Sequence, residues 1–289
     1  MLYCIFIHDI QMSLKHQNII TNIILMQMNI KQMNVTILGC GSSVGVPVIG
    51  CNCDICSLKE PKNKRSRSSI LIETPLGEKI LVDFGADMRE QFLHHKISKI
   101  SAAILTHDHA DHVNGIDDLK IFSFINKTPM IIYSDKIALN SIALRFPYMF
   151  ESQDAEDHWG RRRVEGIEVQ YDSTTTICNT KIAFFRQHHG FIDSLGIRIG
   201  NFAYSNDVVE FPKESEKYLE NLDIWVIDCL HYTRTKAHFG LEDVLKCNEK
   251  FKPKKIYLTN MSHSIDYNKI KTEIPENIEP AYDGLSFLI

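Results

Sequence analysis

Residues 102–112 constrain this chain more than any other stretch. Ala102-Ala103-Ile104-Leu105-Thr106 is a short apolar run that reads as a buried strand, and it ends directly in His107-Asp108-His109-Ala110-Asp111-His112. Residues two apart at the end of a strand point the same way, so His107 and His109 can converge on one ion. Asp111 and His112 follow just before an expected helix and can face a neighbouring ion. Imidazole and carboxylate together suit zinc, manganese or iron. A chain carrying this segment must fold so that a strand end opens into a cleft.

The remaining pattern is one of strand clusters broken by isolated helices. Val35–Leu38 reads as a buried strand running into the glycine-rich turn Gly39-Cys40-Gly41-Ser42-Ser43. Ser69–Glu73 and Lys79–Asp83 flank Thr74-Pro75-Leu76-Gly77 as a hairpin. Further strands are expected at Lys181–Phe185, Leu195–Ile199, Phe202–Tyr204, Ile224–Ile227 and Ile256–Thr259. Helices are expected near Gly115–Phe124, Lys136–Leu144, Gly240–Phe251 and Tyr267–Thr272. Such a mixture predicts sheets covered by helices, with a single domain over 33–289.

With 44% hydrophobic and 24% charged residues in 289, the chain can bury a sizeable core. Its net charge of −4 gives no bulk attraction to nucleic acid or anionic membrane, so any phosphate binding must be local. No apolar run is long enough to span a bilayer. Residues 1–32 are rich in Ile, Met and Asn, but Asp9, Lys15 and His16 interrupt them. They lack the basic start, apolar centre and small-residue site of a signal peptide. The expectation there is a disordered or weakly helical extension, or a stretch upstream of a start at Met33, with a surface-bound amphipathic helix as the alternative. A cytoplasmic location is expected.

Of 8 cysteines, Cys51, Cys53 and Cys56 fall within six residues. In a chain of this length such a cluster reads as a metal site in a reducing compartment rather than a disulfide framework. Thiolates at this spacing suit a closed tetrahedral zinc site.

The stretch His107-x-His109-x-Asp111-His112 after a buried strand resembles the hallmark of the metallo-β-lactamase superfamily. The resemblance implies an αββα sandwich of mixed α/β class with a metal site at one edge of the paired sheets. It covers the chain from about Val35 onward. Gly39–Pro47 and the Cys51-x-Cys53-x-x-Cys56 loop make it similar to the branch containing the phosphoribosyl cyclic phosphate phosphodiesterase. That likeness implies two divalent ions, zinc or manganese, at the reactive site and one structural zinc. It implies His189 (or, less well matched, its neighbour His188) as a further ligand, with the other supporting the site. Asp207 is implied as the carboxylate shared by both ions, and Asp83 as the residue that orients the histidine loop. The C-terminal segment Leu258-Thr259-Asn260-Met261-Ser262-His263 departs from the pattern. Asn260 falls where the family carries a metal-site histidine, to coordinate weakly through its oxygen or to leave the second metal more open, and His263 falls where it carries the structural-zinc histidine. Either His263 completes Cys51, Cys53 and Cys56, or the loop shifts and His263 serves the reactive site.

The chemistry implied is attack by a metal-activated hydroxide, with Asp111 in the reactive set and His238 or His231 protonating the leaving group. Arg65 and Arg67 are candidates for steering phosphate, as is the run Arg161-Arg162-Arg163. A small phosphodiester, with cyclic ones among the candidates, is the expected substrate, and a homodimer is compatible with the sequence. Rival readings are a tRNA 3′-processing endonuclease, a thioester hydrolase, and a metal-binding protein whose reactive site Asn260 has degraded. Nucleic acid is disfavoured because neither a Gly/Pro-rich arm nor a basic footprint is visible.

Overall fold

Ile70 and Ile72 leave their strand on one side and Leu71 on the other, yet all three are buried. The same holds for Ile80 and Val82 against Leu81, and for Ala102 and Ile104 against Ala103. A sheet of such strands must be covered on both faces, which is why these segments read as continuous apolar runs rather than alternating ones. In the computed structural model, which describes residues 32–57, 59–150 and 163–289, both covers are present. The inward set packs with Phe184, Leu195, Ile197, Phe202 and Tyr204 of a second sheet. The outward set packs with Phe84, Met88, Phe92, Val113, Leu119, Phe122 and Ile142 from helices and their connections.

Met33–Ile289 forms one compact unit. The N-terminal extension, up to residue 31, and Arg161 and Arg162 lie outside the described residues. The first sheet has the order β14-β1-β2-β3-β4-β5-β6, where β1 is Asn34–Gly39, β2 Ser69–Glu73, β3 Lys79–Val82, β4 Ala102–Ile104, β5 Met130–Ser134, β6 Val164–Glu168 and β14 Ser286–Leu288. The second has the order β13-β12-β11-β10-β9-β8-β7, where β7 is Ser173–Ile177, β8 Thr180–His189, β9 Ile192–Ile199, β10 Phe202–Ser205, β11 Ile224–Asp228, β12 Lys255–Thr259 and β13 Ile278–Pro280. The helix Leu241–Phe251 covers the second sheet, with Phe251 edge-on to Trp225 of β11 at 5.8 Å. The expected αββα sandwich is therefore what the chain forms.

Within each sheet, neighbours are antiparallel over one half and parallel over the other. β3, β4, β5 and β6 run parallel, as do β10, β11, β12 and β13. Parallel strands bring their carboxyl ends to the same edge, the usual place for a site in such sheets.

Several elements differ from expectation. β5, β6, β7, β13, β14 and the helix Met88–His94 appear where none was expected. The expected helix Gly115–Phe124 is a 3-10 turn, Ile116–Leu119, followed by the helix Lys120–Asn126. β8 continues past Phe185 through Arg186-Gln187-His188-His189, and β9 starts at Ile192, because His189 pairs with Ile192 across a tight turn. Gly190 takes φ +63 there, a conformation glycine adopts without strain. No helix among the described residues is long and apolar enough to cross a membrane.

Candidate metal centre

Three buried residues immediately after parallel strands share a left-handed backbone: Asp83 after β3 (φ 60), Asp207 beyond β10 (φ 52) and Asn260 after β12 (φ 59). Asp and Asn tolerate this region better than other side chains with a Cβ. Each bend ends its strand and turns a short polar side chain toward the edge where the histidine loop emerges from β4.

Asp83 fixes that loop. Its carboxylate accepts from the Thr106 amide (2.8 Å) and the Thr106 hydroxyl (2.9 and 3.0 Å), and pairs with His112 Nδ1 at 2.8 Å. Burial pushes the Asp83 carboxyl upward, and His112 and Thr106 only partly offset this. With Nδ1 engaged, His112 presents Nε2 to Asp207 Oδ2 (3.0 Å) and Asp111 Oδ2 (3.3 Å). Burial works against a charged His112, but the Asp207 and Asp83 carboxylates outweigh it and hold the imidazole well above its ordinary value.

His107 lies within 4.5 Å of His109 and 4.3 Å of His112, centroid to centroid. Burial, then the charge of His112, pushes its pKa well below the ordinary range, so the ring is neutral with a lone pair to give. Its buried Nε2 has no hydrogen-bond partner. A buried nitrogen left this way is costly unless something else occupies the spot. His189 completes the set, with Nδ1 on the Ala237 carbonyl (2.8 Å), leaving Nε2 facing His109 Nδ1 (3.3 Å) and Asp207 Oδ1 (3.8 Å). The ligand-type atoms of His107, His109 and His189, and those of His107, His112 and Asp207, group within 4.8 Å. The unpartnered Nε2 and this donor set fit divalent ions.

The histidine loop must approach Gly85 closely: a Cβ there would overlap the Asp111 carbonyl oxygen, and one at Gly115 would overlap the Gly85 carbonyl. Gly85→Ala should therefore displace the loop, cost about 1–3 kcal/mol and lower Tm by about 3–10 °C. Thermal unfolding checks this, and an unchanged Tm would show that the loop has slack.

His238 joins the cluster, grouping with His189 and Asp207 within 4.8 Å. Its Nδ1 is 2.9 Å from Asp228 Oδ2 and 3.4 Å from Asp207 Oδ1. Burial opposes its charge, but Asp228 and then Asp207 raise its pKa to about 9. His231, the other candidate acid, belongs elsewhere. Its ring nitrogen sits on the Ser262 and Ser264 hydroxyls (2.7 and 2.9 Å), and burial lowers its pKa. With no carboxylate to hold a proton on it, His231 is replaced by the pair His238–Asp228. Asp228 had no signal in the sequence beyond ending a strand.

The cysteine loop and His263 do come together. His263 Nδ1 lies 3.3, 3.5 and 3.5 Å from the sulfurs of Cys51, Cys53 and Cys56. A tetrahedral ion about 2.3 Å from sulfur and about 2.0 Å from nitrogen has S–N edges of roughly 3.5 Å. These residues therefore fit zinc. The Cys56 amide bonded to Cys53 lowers that thiol to about 6, favouring the thiolate a metal needs. His263 thus sits with the cysteines, and the reactive cluster has Asn260 in its place.

Four expectations need correction. Arg65 is buried, with its guanidinium on the Ser262 and Ile265 carbonyls (3.1 and 2.8 Å) and on Asn63 Oδ1 (3.0 Å). It fastens the loop carrying His263 and cannot meet phosphate. Arg67 is held by Asp87 at 2.7 Å and the Ser43 carbonyl at 2.9 Å. Arg163, of the other basic run, stacks on Phe124 at 4.3 Å. His188 does not support the ligand cluster, because alternation along β8 turns it away from His189. It pairs with Asp193 (2.7 Å) and lines a cleft of about 420 Å³ with His107, Tyr171, Arg186 and Phe191. Arg186, paired with the same Asp193 and stacked on Tyr171 at 4.3 Å, was missed because its segment reads as a polar loop.

Residues 78–261 match the family described as Beta-lactamase superfamily domain. A diphosphatase of the PhnP family is similar over 89% of this chain and 97% of its own, at 31% identity and TM-score 0.82. Zinc-bound PqqB from Methylobacterium extorquens shares the fold over 89% of this chain and 100% of its own, at 17% identity and TM-score 0.67. Among curated proteins, the octanoyltransferase of Porphyromonas gingivalis is 30% identical over 259 residues, covering 89% of this chain and 52% of that protein. The chain spans about half the length of that relative. Matched family, paired sheets and clustered imidazoles and carboxylates agree: this chain belongs to the β-lactamase superfamily domain family and has the metallo-β-lactamase fold.

Proposed function

We propose that the chain is a phosphoesterase that hydrolyses a small phosphodiester, cyclic or of the diphosphate type, with two divalent ions (zinc or manganese) at the reactive site and a structural zinc on Cys51, Cys53, Cys56 and His263. The observation that carries this is the cluster of imidazoles and carboxylates around the unpartnered Nε2 of His107, which opens on a cleft lined by Arg186 as well as Asp108, Asp135 and Asp193. The similarity to a diphosphatase supports it.

In this reading His107, His109, His189 and Asp207 would hold one ion, and Asp111, His112 and Asp207 the other. Such ions supply Lewis acidity to a phosphoryl oxygen and make water a stronger nucleophile at neutral pH. The protein's own part is positional. Asp83 keeps His112 aimed at Asp207, and Ala237 keeps His189 in one tautomer. Arg186 is the cation that the cleft lining offers an anionic substrate, its charge partly offset by Asp193. His238, held protonated by Asp228, delivers a proton to the departing oxygen.

The test is turnover of bis(p-nitrophenyl) phosphate, a ribose cyclic phosphate and a diphosphate diester by protein loaded with manganese or zinc, with precursor tRNA and a thioester as rivals. His238→Gln should lose about 10²–10⁴-fold on alkyl esters and far less on p-nitrophenyl esters, whose leaving group needs no proton. Cleavage of the thioester or the tRNA but of no small phosphoester would overturn the proposal.

A further inference from the structure

Asn260 stands where the family resemblance implies an imidazole, and its contacts say what it does instead. Its Nδ2 lies 3.3 Å from Asp207 Oδ1, 3.1 Å from Asp228 Oδ1 and 3.2 Å from His238 Nδ1. The side chain is buried, so those are its surroundings. Two carboxylates fix which end of the amide faces them, because the reverse orientation would set its oxygen against two acceptors. An NH₂ group has no lone pair to give a metal.

We infer that Asn260 makes the two ion positions unequal: one ion is retained, and the other exchanges with the medium. The retaining position has three imidazoles and Asp207. The exchanging one has Asp111, His112 and Asp207, and Asn260, bonded to Asp207 through Oδ1, the oxygen that faces His189, adds no donor to it. Losing even an outer partner of a ligand costs about 10–100-fold in metal affinity, and a missing ligand costs no less. The hydrolase would then respond to free divalent metal near its second affinity. This inference rests on the site's binding of metal, not on which bond is cleaved.

The test reads metal rather than activity. Full-length protein is stripped, loaded with Mn²⁺, which disfavours thiolates, and desalted. Manganese content and electron paramagnetic resonance are then recorded. Wild type should retain one manganese with an uncoupled six-line spectrum, and a second should titrate in about 10–100-fold more weakly. Asn260→His should retain two, with a coupled spectrum, since histidine is also enriched among residues with positive φ. Asn260→Ala should retain one, like wild type. Two ions surviving desalting in wild type, no gain in Asn260→His, or loss in Asn260→Ala that marks the amide as a ligand would each overturn the inference. Failure to bind any manganese would instead bring down the metal-dependent reading itself.

Discussion

Asp207→Asn should abolish turnover while leaving the fold in place. Asp207 is buried at the meeting point of His107, His112, His189 and His238. Burial alone would raise its pKa, yet His112 above all holds it well below the carboxylate range. Among the described residues it is the carboxylate that groups both with His107 and His112 and with His189 and His238. The amide keeps its shape but removes the charge. Metal assistance is worth several kcal/mol of transition-state stabilisation, and at about 1.36 kcal/mol per decade the expected loss is at least about 10³-fold. Activity and bound metal should fall together under saturating metal. A variant within tenfold of wild type would show that the chemistry does not run through this cluster.

Cys53→Ser should act on stability, not on the chemical step. The thiolate loop and His263 are about 210 positions apart in sequence and are joined at one point. Structural zinc contributes about 10–16 kcal/mol in peptides that fold only with it. Here the large core carries most of the fold, so only a fraction is expected, about 3–5 kcal/mol, or roughly 6–20 °C in Tm. With the reactive site emptied in both proteins, removal of the zinc from the wild type should lower Tm to the variant's value, and the same treatment of the variant should lower it no further. If Tm is unchanged in both, the four residues meet without holding an ion that matters to folding.

How much of this was legible in the sequence follows from distance along the chain. His107, His109, Asp111 and His112 are neighbours, and so are Cys51, Cys53 and Cys56, so local geometry revealed both sets. Asp207, His189 and His263 lie far off and came only through resemblance to a family. Asp228 and Arg186 had neither local grouping nor resemblance. Arg65 misled for a related reason: a basic run reads as solvated charge, and only the fold shows that three acceptors bury this one. Among strands, β1 to β4 stand out because both faces are apolar. β7, Ser-Thr-Thr-Thr-Ile, and the polar end of β8 carry no such signal and are defined by their partners.

The ligands also divide between the halves of the sandwich. His107, His109, Asp111 and His112 leave the first sheet, while His189 and Asp207 belong to the second. Ions held by these residues would therefore act as a clasp across a seam. Whatever binds there also fastens one layer to the other, so loading stabilises the folded chain by mass action. Heat resistance becomes a gauge of occupancy, readable without any substrate in hand.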